Sequence, residues 1–373
     1  MRPIFMIVTL LLSTALGAHA QQTDYLVFVA AEAADRISLV RFGPAGARVD
    51  REFPVGLMPT DPDGPHGLAV SPDGRHLFVS TAHGNPFGYL WKLDAETGRP
   101  VGRATLGYFP ATLQLTPDGY FALVVNFNLH GDMVPSSVSV VATDSMLELT
   151  RIPTCVMPHG SRVNPQGTKQ YSACMMDDLV VEIDTRTFAV ARSFRVARGA
   201  EQGFTGLPAV QTSPAHTPHP TPHTASCSPT WAQPSADGER VFVACNKSNE
   251  IVVLDIGSWA VTRRIAAGDG VYNLAVTHDG KLLLATNKRG QSVSVFDAAT
   301  GAEVVRISTI RKIVHGVVVS PDDRYAFVSV EGIGAEPGTV EVIDLAARRR
   351  VAAADVGQMA GGIDFWKTER ARP

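Results

Sequence analysis

The sequence lacks an excess of one charge and a long apolar run. Its 373 residues carry a net charge of −3, from 33 basic and 36 acidic side chains. This balance gives no electrostatic basis for binding nucleic acid or an anionic membrane surface. Beyond residue 20, no apolar run approaches the ~18 residues that a membrane-spanning helix requires. We therefore predict no nucleic-acid partner and no membrane span.

Common motifs of catalysis and cofactor attachment are also missing. The chain has no G-x-S-x-G nucleophile elbow, no Walker loop and no H-E-x-x-H zinc motif. It also has no C-x-x-C-H sequence, which excludes a covalently attached c-type haem. Any active site must therefore be assembled by the fold from separate parts of the chain.

Residues 1–20 have the pattern of a secretory signal. Arg2 supplies a positive start, residues 4–12 form a short apolar core, and residues 18–20 match an A-x-A cleavage site. The alternative is a buried N-terminal strand. The signal predicts a mature chain beginning near Gln21 and a periplasmic or secreted protein, in which the four cysteines can pair.

A four-residue turn signal recurs along the chain. It has Ser, Thr or Asn at the first position, Asp or Gln at the third, and Gly or Asp at the fourth. The six copies lie at 71–74, 116–119, 164–167, 235–238, 277–280 and 320–323. Their starting positions are 45, 48, 71, 42 and 43 residues apart. Apart from the third, these intervals match the ~40–50 residues of a four-stranded propeller blade. The strands that end in Asp fit the same period, at Asp94, Asp184, Asp255, Asp297 and Asp344.

The long third interval and the two chain ends complete this prediction. The interval places a Pro- and His-rich insertion at about residues 198–227, which we expect to be an extended lid or a mobile loop and not a helix. Six turns account for six blades. Residues 361–365 supply the inner strand of a seventh blade, and residues 25–30 and 37–42 supply further strands. The result is an all-β, seven-bladed β-propeller whose closure leaves no free edge strand.

Two segments resemble the YVTN-type β-propeller repeat. They are residues 242–255, and residues 284–288 together with 292–297. The resemblance extends over essentially the whole mature chain and implies the seven-bladed fold. Proteins of this superfamily include the propellers of nitrous oxide reductase and cytochrome cd1 nitrite reductase, as well as lactonase-like proteins. That breadth means that the resemblance does not name an activity.

Three of the seven predicted inner strands begin with His-Gly at one register, at His66, His159 and His315. Inner strands line the channel of a propeller, so these side chains are expected at one mouth of it. The same face collects further soft ligands, namely Met175, Met176, His219 and His223. Imidazole and thioether together suit copper, and zinc less well.

Three inner-strand histidines are fewer than the cluster of nitrous oxide reductase uses, so we predict a simpler copper site with possible redox chemistry. The alternative is that the three His-Gly pairs have only a structural role. Each His would then make a hydrogen bond, and each Gly would allow the neighbouring backbone to approach closely.

The cysteines predict two disulfides, Cys155–Cys174 and Cys227–Cys245. Each pair brackets the start of an inner strand and the end of the second strand, which are antiparallel neighbours. We expect both bridges to lie within a blade. The other two pairings, or free thiols, remain the alternatives.

Several residues near the inner-strand starts suit a small ligand instead of a metal. They are Arg162, Trp231, Tyr272 and Asn273. Asp177, Asp178 and Glu331 are candidate carboxylates at the mouth, although paired Asp residues are usually a solvated turn. The leading hypothesis is therefore metal or small-ligand binding at the mouth. The alternatives are a lactonase-like hydrolase, or a scaffold that binds an exported partner protein.

Overall fold

The computed structural model describes residues 23–57, 63–83, 87–208 and 225–371. These residues form seven antiparallel sheets arranged as a seven-bladed β-propeller, with four strands in six blades and five in the other. The predicted fold class is confirmed. No helix in the described ranges is long and apolar enough to cross a membrane.

The first half of the chain supplies blades 1 to 4. Blade 1 receives β1 (Thr23–Ala31), a 3-10 helix (Glu32–Ala34), β2 (Arg36–Gly43) and β3 (Gly46–Pro54). Blade 2 contains β4 (Pro65–Val70), β5 (His76–Thr81), β6 (Tyr89–Asp94) and β7 (Pro100–Thr105). Blade 3 contains β8 (Pro110–Leu115), β9 (Phe121–Asn126), β10 (Pro135–Ala142) and β11 (Leu147–Val156). Blade 4 contains β12 (Pro158–Val163), β13 (Lys169–Cys174), β14 (Leu179–Asp184), β15 (Ala189–Arg195) and β16 (Gln202–Thr205).

The second half supplies blades 5 to 7 and then returns to blade 1. Blade 5 contains β17 (Pro229–Pro234), β18 (Arg240–Cys245), β19 (Glu250–Asp255) and β20 (Ala260–Ala266). Blade 6 contains β21 (Val271–Val276), β22 (Leu282–Asn287), β23 (Ser292–Asp297) and β24 (Glu303–Ser308). Blade 7 contains β25 (Val314–Val319), β26 (Tyr325–Val330), β27 (Gly338–Asp344) and β28 (Arg349–Val356). The last strand is β29 (Ala360–Arg370).

The ring closes as the sequence predicts. β29 is the inner strand of blade 1 and pairs antiparallel with β1, from Thr23 opposite Arg370 to Ala31 opposite Ala360. Arg41 on β2 reinforces this joint, because its buried guanidinium bonds the carboxylates of Asp24, Asp50 and Glu369 at 3.0 Å each. The first and last strands thus protect each other's edges.

The turn signals occupy the face opposite the start of the inner strands. In five of the six, the closing Gly has φ between +70° and +76°, and Asp323 takes the same conformation (φ 56°) in the sixth. The first residue often bonds the third, as in Ser71 Oγ to Asp73 Oδ1 at 2.6 Å. These bonds fix the hairpin between the inner strand and its neighbour in blades 2 to 7.

Each inner strand contains a β-bulge close to its start. The register with the second strand shifts by one residue, for example between Pro65 and Leu68 and between Pro158 and Ser161. One extra residue changes the alternation of faces. As a result, the second and fifth residues of each inner strand lie on the same face of their blade.

Both predicted disulfides are present. Cys155 and Cys174 have Cα atoms 5.9 Å apart, and those of Cys227 and Cys245 are 4.6 Å apart. The expectation that both lie within a blade is wrong for the first pair. β11 of blade 3 continues to Val156, so Cys155 joins blade 3 to blade 4. Two disulfides favour an oxidising, exported compartment.

The predicted insertion is only partly described. Gln202–Thr205 forms β16, a fifth strand that extends blade 4 by pairing with β15. The extended conformation expected there is therefore a sheet strand in this part. Residues 209–224, which include His219 and His223, and the proposed signal at residues 1–20 lie outside the described residues.

Candidate functional site at the channel mouth

Four rings from different blades meet at one mouth of the channel. The ring centroid of His66 lies 6.3 Å from that of His159 and 5.6 Å from that of His315. Tyr272 lies 5.3 Å from His159 and 4.9 Å from His315. All four are second residues of inner strands. The other three blades have small residues at this position, namely Ala111, Thr230 and Gly361.

The Gly after each His permits the blades to approach closely. A Cβ on Gly67 would lie 2.2 Å from the carbonyl oxygen of Ala111 in the next blade. The corresponding distances are 2.3 Å from Gly160 to Thr230 O and 2.8 Å from Gly316 to Gly361 O. The Gly in each His-Gly pair therefore has a packing role, whatever the His does.

His159 is fully buried and uses both ring nitrogens in hydrogen bonds. Its Nδ1 donates to Thr230 O at 3.0 Å, so its Nε2 accepts from Tyr272 Oη at 3.0 Å. Burial lowers the pKa of His159 to about 3. His159 is thus a neutral ring that links three blades, with no nitrogen free for a ligand.

His66 has a different environment, because a carboxylate holds only one of its nitrogens. Nδ1 bonds Glu32 Oε2 at 2.7 Å, and His83 Nε2 bonds the other oxygen of Glu32 at 2.6 Å. Burial alone would raise the pKa of Glu32, but its interactions with His66 and His83 hold it well below its usual range. His66 Nε2 is buried and has no hydrogen-bond partner among the described residues.

Lys288 places a positive charge at the channel mouth. Lys288 Nζ bonds Glu331 Oε1 at 2.9 Å and lies 4.4 Å from the ring centroid of Tyr272. Burial alone would lower the pKa of Lys288, but its interactions with Tyr272 and Glu331 raise it. Burial and the charge of Lys288 hold the pKa of His315 well below its usual value, so His315 is neutral. His315 Nδ1 is likewise buried and unpartnered in the described part of the chain.

The methionines join an apolar wall beside the rings. Met175 and Met176 are half-buried and pack against a cluster that contains Phe109 and Phe127. The ring of Phe127 lies 4.7 Å from that of His159. Among the described residues, no group of three His, Cys, Asp or Glu is placed to hold a metal ion.

The remaining candidate residues lie away from this cluster or have structural roles. Arg162 is the fifth residue of β12 and stacks on Trp231 at 4.3 Å, so it lies farther along the strand than the start near which it was predicted. Asn273 Oδ1 is buried without a partner in the described ranges. Asp178 accepts bonds from the amides of residues 226–228, and Asp177 Oδ2 accepts one from Val156 N. Both Asp residues thus anchor loops at the mouth.

Sequence reasoning did not identify Glu32 or Lys288. Both follow the second strand of their blade, on the loops that surround the mouth. The predicted closure of blade 1 makes β1 a second strand, so Glu32 could have been placed at the mouth from topology. Nothing in the sequence distinguishes it from an ordinary surface carboxylate.

The structure resembles other propellers, whereas no family model and no curated protein matches the chain. Hydrazine synthase from Kuenenia stuttgartiensis is 20% identical, with a TM-score of 0.63 over 85% of this chain and 99% of that chain. A functionally unknown protein from Desulfotomaculum acetoxidans is 16% identical, with a TM-score of 0.67 over 91% and 98%. The periplasmic gluconolactonase PpgL from Pseudomonas aeruginosa is 19% identical, with a TM-score of 0.67 over 92% and 99%. At these identities the comparisons establish the propeller fold and leave the YVTN-type repeat a resemblance.

Proposed function

We propose that this protein is an exported, periplasmic or secreted hydrolase that opens small lactones at the channel mouth. One observation carries the proposal. Glu32 holds Nδ1 of His66, while Nε2 of the same ring is buried without a partner among the described residues. A carboxylate that orients one nitrogen and leaves the other open is the arrangement of a His general base.

The proposed reaction begins with water at His66. Nε2 accepts a proton from the water as its oxygen bonds to the lactone carbonyl carbon. Glu32 stabilises the imidazolium that forms. The tetrahedral intermediate then breaks its bond to the ring oxygen, and His66 Nε2–H returns the proton to the leaving alkoxide. The product is an open-chain hydroxy acid, and the step needs no redox partner.

Lys288 is suited to stabilise the oxyanion of the intermediate. It is a cation at the mouth, and Glu331 engages one of the three donors of its ammonium group. The side chain is 28% exposed, so an incoming ligand can reach it. Tyr272 is kept neutral because burial raises its pKa, and its hydroxyl is committed to His159.

The fold shared with the gluconolactonase guides the choice of substrate for the test. We would measure the hydrolysis of D-glucono-1,5-lactone above its spontaneous rate. His66→Gln should lower kcat/KM by about 10²–10⁴-fold because it removes the base. Glu32→Gln should cause a smaller loss, since it disturbs the orientation of the ring and leaves Nε2 in place.

The matched control is His278→Gln. His278 also bonds a carboxylate, Asp323 at 2.8 Å, but it is exposed and lies on the opposite face of the propeller. Its variant should hydrolyse the lactone at the wild-type rate. Equal rates for His66→Gln and His278→Gln would reject His66 as the base.

Copper binding is a second candidate, on a smaller set of ligands than the sequence predicts. His66 Nε2 and His315 Nδ1 are both buried and unpartnered in the described ranges, and their rings are 5.6 Å apart. Glu32 would support His66 in the way that carboxylates support metal-bound histidines. In a copper titration, His66→Gln and His315→Gln should each lose the site, whereas His278→Gln should retain it. Unchanged copper affinity in both variants would remove this candidate.

A further inference from the structure

A second set of polar side chains faces the channel below the histidines. The bulge places the fifth residue of each inner strand on the same face as the second, three positions beyond it and roughly 10 Å deeper. Going around the ring, these residues are Asp364, Ala69, Gln114, Arg162, Gln233, Ala275 and Val318. Of these fifth residues, Ala69, Ala275 and Val318 pack into the apolar clusters between blades. Four of the seven are polar, which an ordinary packed channel core does not require.

This lower tier is reached from the turn face. The ring residues of the upper tier are at most 9% exposed, with His159 at 0%, so they fill the channel between the mouth and the lower tier. In the lower tier, Arg162, Gln233 and Asp364 are only partly buried. Asp364 lines a cavity of about 890 Å³ between β29 of blade 1 and the turns of blades 2, 6 and 7. The lower tier is therefore separate from the site of the proposed hydrolysis.

Arg162 is held in place by stacking and a backbone hydrogen bond, with no direct ion pair in the described ranges. Its guanidinium stacks on Trp231 at 4.3 Å, and Nη1 donates to Ser161 O at 2.9 Å. It forms no direct ion pair with any residue in the described ranges. Burial lowers its pKa to about 10, and the charge of Asp364 across the channel opposes that shift. Trp231 Nε1 is also buried and unpartnered within the same ranges. Two donors are thus available to an anion, and Arg162 is still charged at neutral pH.

Asp364 supplies the opposite charge from the other side of the ring. It lies on blade 1, three blades away from Arg162 on blade 4. Its Oδ2 accepts from Val70 N at 2.7 Å and its Oδ1 from Phe365 N at 2.9 Å, but no described cation pairs with it. Burial raises its pKa to about 6 against the opposing effect of the Arg162 charge, so it is mostly ionised at pH 7.

We propose that the lower tier binds a small zwitterion of the amino-acid class, with its carboxylate on Arg162 and its ammonium group on Asp364. A simple carboxylate would leave Asp364 unpaired, and a simple amine would leave Arg162 unpaired. A ligand with both groups satisfies both, and unpaired charges in a recessed site are costly. The amides of Gln114 and Gln233 lie on either side of Arg162 and complete a polar wall.

Calorimetry with ω-amino acids of increasing length tests this proposal. The probes are glycine, β-alanine, 4-aminobutyrate and 6-aminohexanoate, with acetate and ethylamine as ligands that carry one charge. We expect one length to bind with a stoichiometry of one, at least about tenfold more tightly than acetate or ethylamine. Arg162→Gln and Asp364→Asn should each weaken that binding by at least about tenfold.

The matched control is Arg103→Gln. Arg103 also stacks on aromatic rings, with its Cζ 5.1 Å from Trp91 and 4.6 Å from Tyr89, but it lies on β7 at the outside of blade 2. Its variant should bind the zwitterion as wild type does. Arg162→Lys retains the charge in case Arg162→Gln does not fold, and should bind more weakly than wild type. Absence of binding by every probe in the millimolar range, or unchanged binding in Arg162→Gln and Asp364→Asn, would overturn the proposal.

Discussion

The substitution Gly160→Ala tests why glycine follows the channel histidines. The new Cβ would lie 2.2 Å from Trp231 Cε3 and 2.3 Å from Thr230 O, whereas ordinary contacts begin at 3.4 Å. Each distance is therefore more than 1 Å too short. Thr230 O belongs to the backbone of the next inner strand, which is fixed by its sheet, and it also accepts the hydrogen bond of His159 Nδ1. Relief of the clash requires the two blades to separate.

We expect Gly160→Ala to lower the free energy of unfolding by about 3 kcal/mol, at the upper end of overpacking effects. Urea-induced unfolding followed by tryptophan fluorescence measures this change. Gly257→Ala is the matched control, since its Cβ would meet only Asp255 Oδ1 at 3.6 Å. The control should stay within ~0.5 kcal/mol of wild type. If Gly160→Ala is equally harmless, the blades are not packed as described, and the Gly has another role.

Two further predictions concern stability. Replacing Cys155 and Cys174 together by Ser opens a crosslink across 19 positions and should cost about 3 kcal/mol in urea unfolding, while an unchanged midpoint would show that the bridge adds nothing. His159 and His315 are buried as neutral rings, so the unfolded chain binds protons more readily than the folded one below pH 6.5. For His159, stability is complete above pH 6.5 and falls between pH 6.5 and about 3, by up to ~1.4 kcal/mol per pH unit. Chemical denaturation at a series of pH values measures the slope, and a flat profile from pH 6.5 to 5 would contradict it.

The sequence was sufficient to predict the blades and their closure because each depends on local chemistry. The turn from Ser71 to Gly74 needs a Ser–Asp bond and a left-handed Gly, and its copies mark one hairpin in six of the seven blades. The pairing of Cys227 with Cys245 follows from the antiparallel register of two adjacent strands. The sequence did not show that Cys155 belongs to blade 3, because the length of β11 depends on its pairing with β10.

The candidate site was predictable only in part. The shared register of His66, His159 and His315 placed them correctly at one mouth of the channel. Their separate roles depend on which partner each nitrogen meets, and Glu32 and Tyr272 come from distant parts of the chain. The lower tier was missed because simple alternation places the second and fifth residues of a strand on opposite faces. The bulge reverses that relation.

The most direct test of the central claim is the rate at which chelator-treated wild-type protein opens D-glucono-1,5-lactone. If His66 and Glu32 form the catalytic pair, the protein should accelerate ring opening above the spontaneous rate, and removal of metal should leave that rate unchanged. A rate equal to the spontaneous one would contradict the proposed hydrolysis. If activity is seen only after copper is added, the metal-free mechanism is wrong. The result would instead support a copper site formed by His66 and His315.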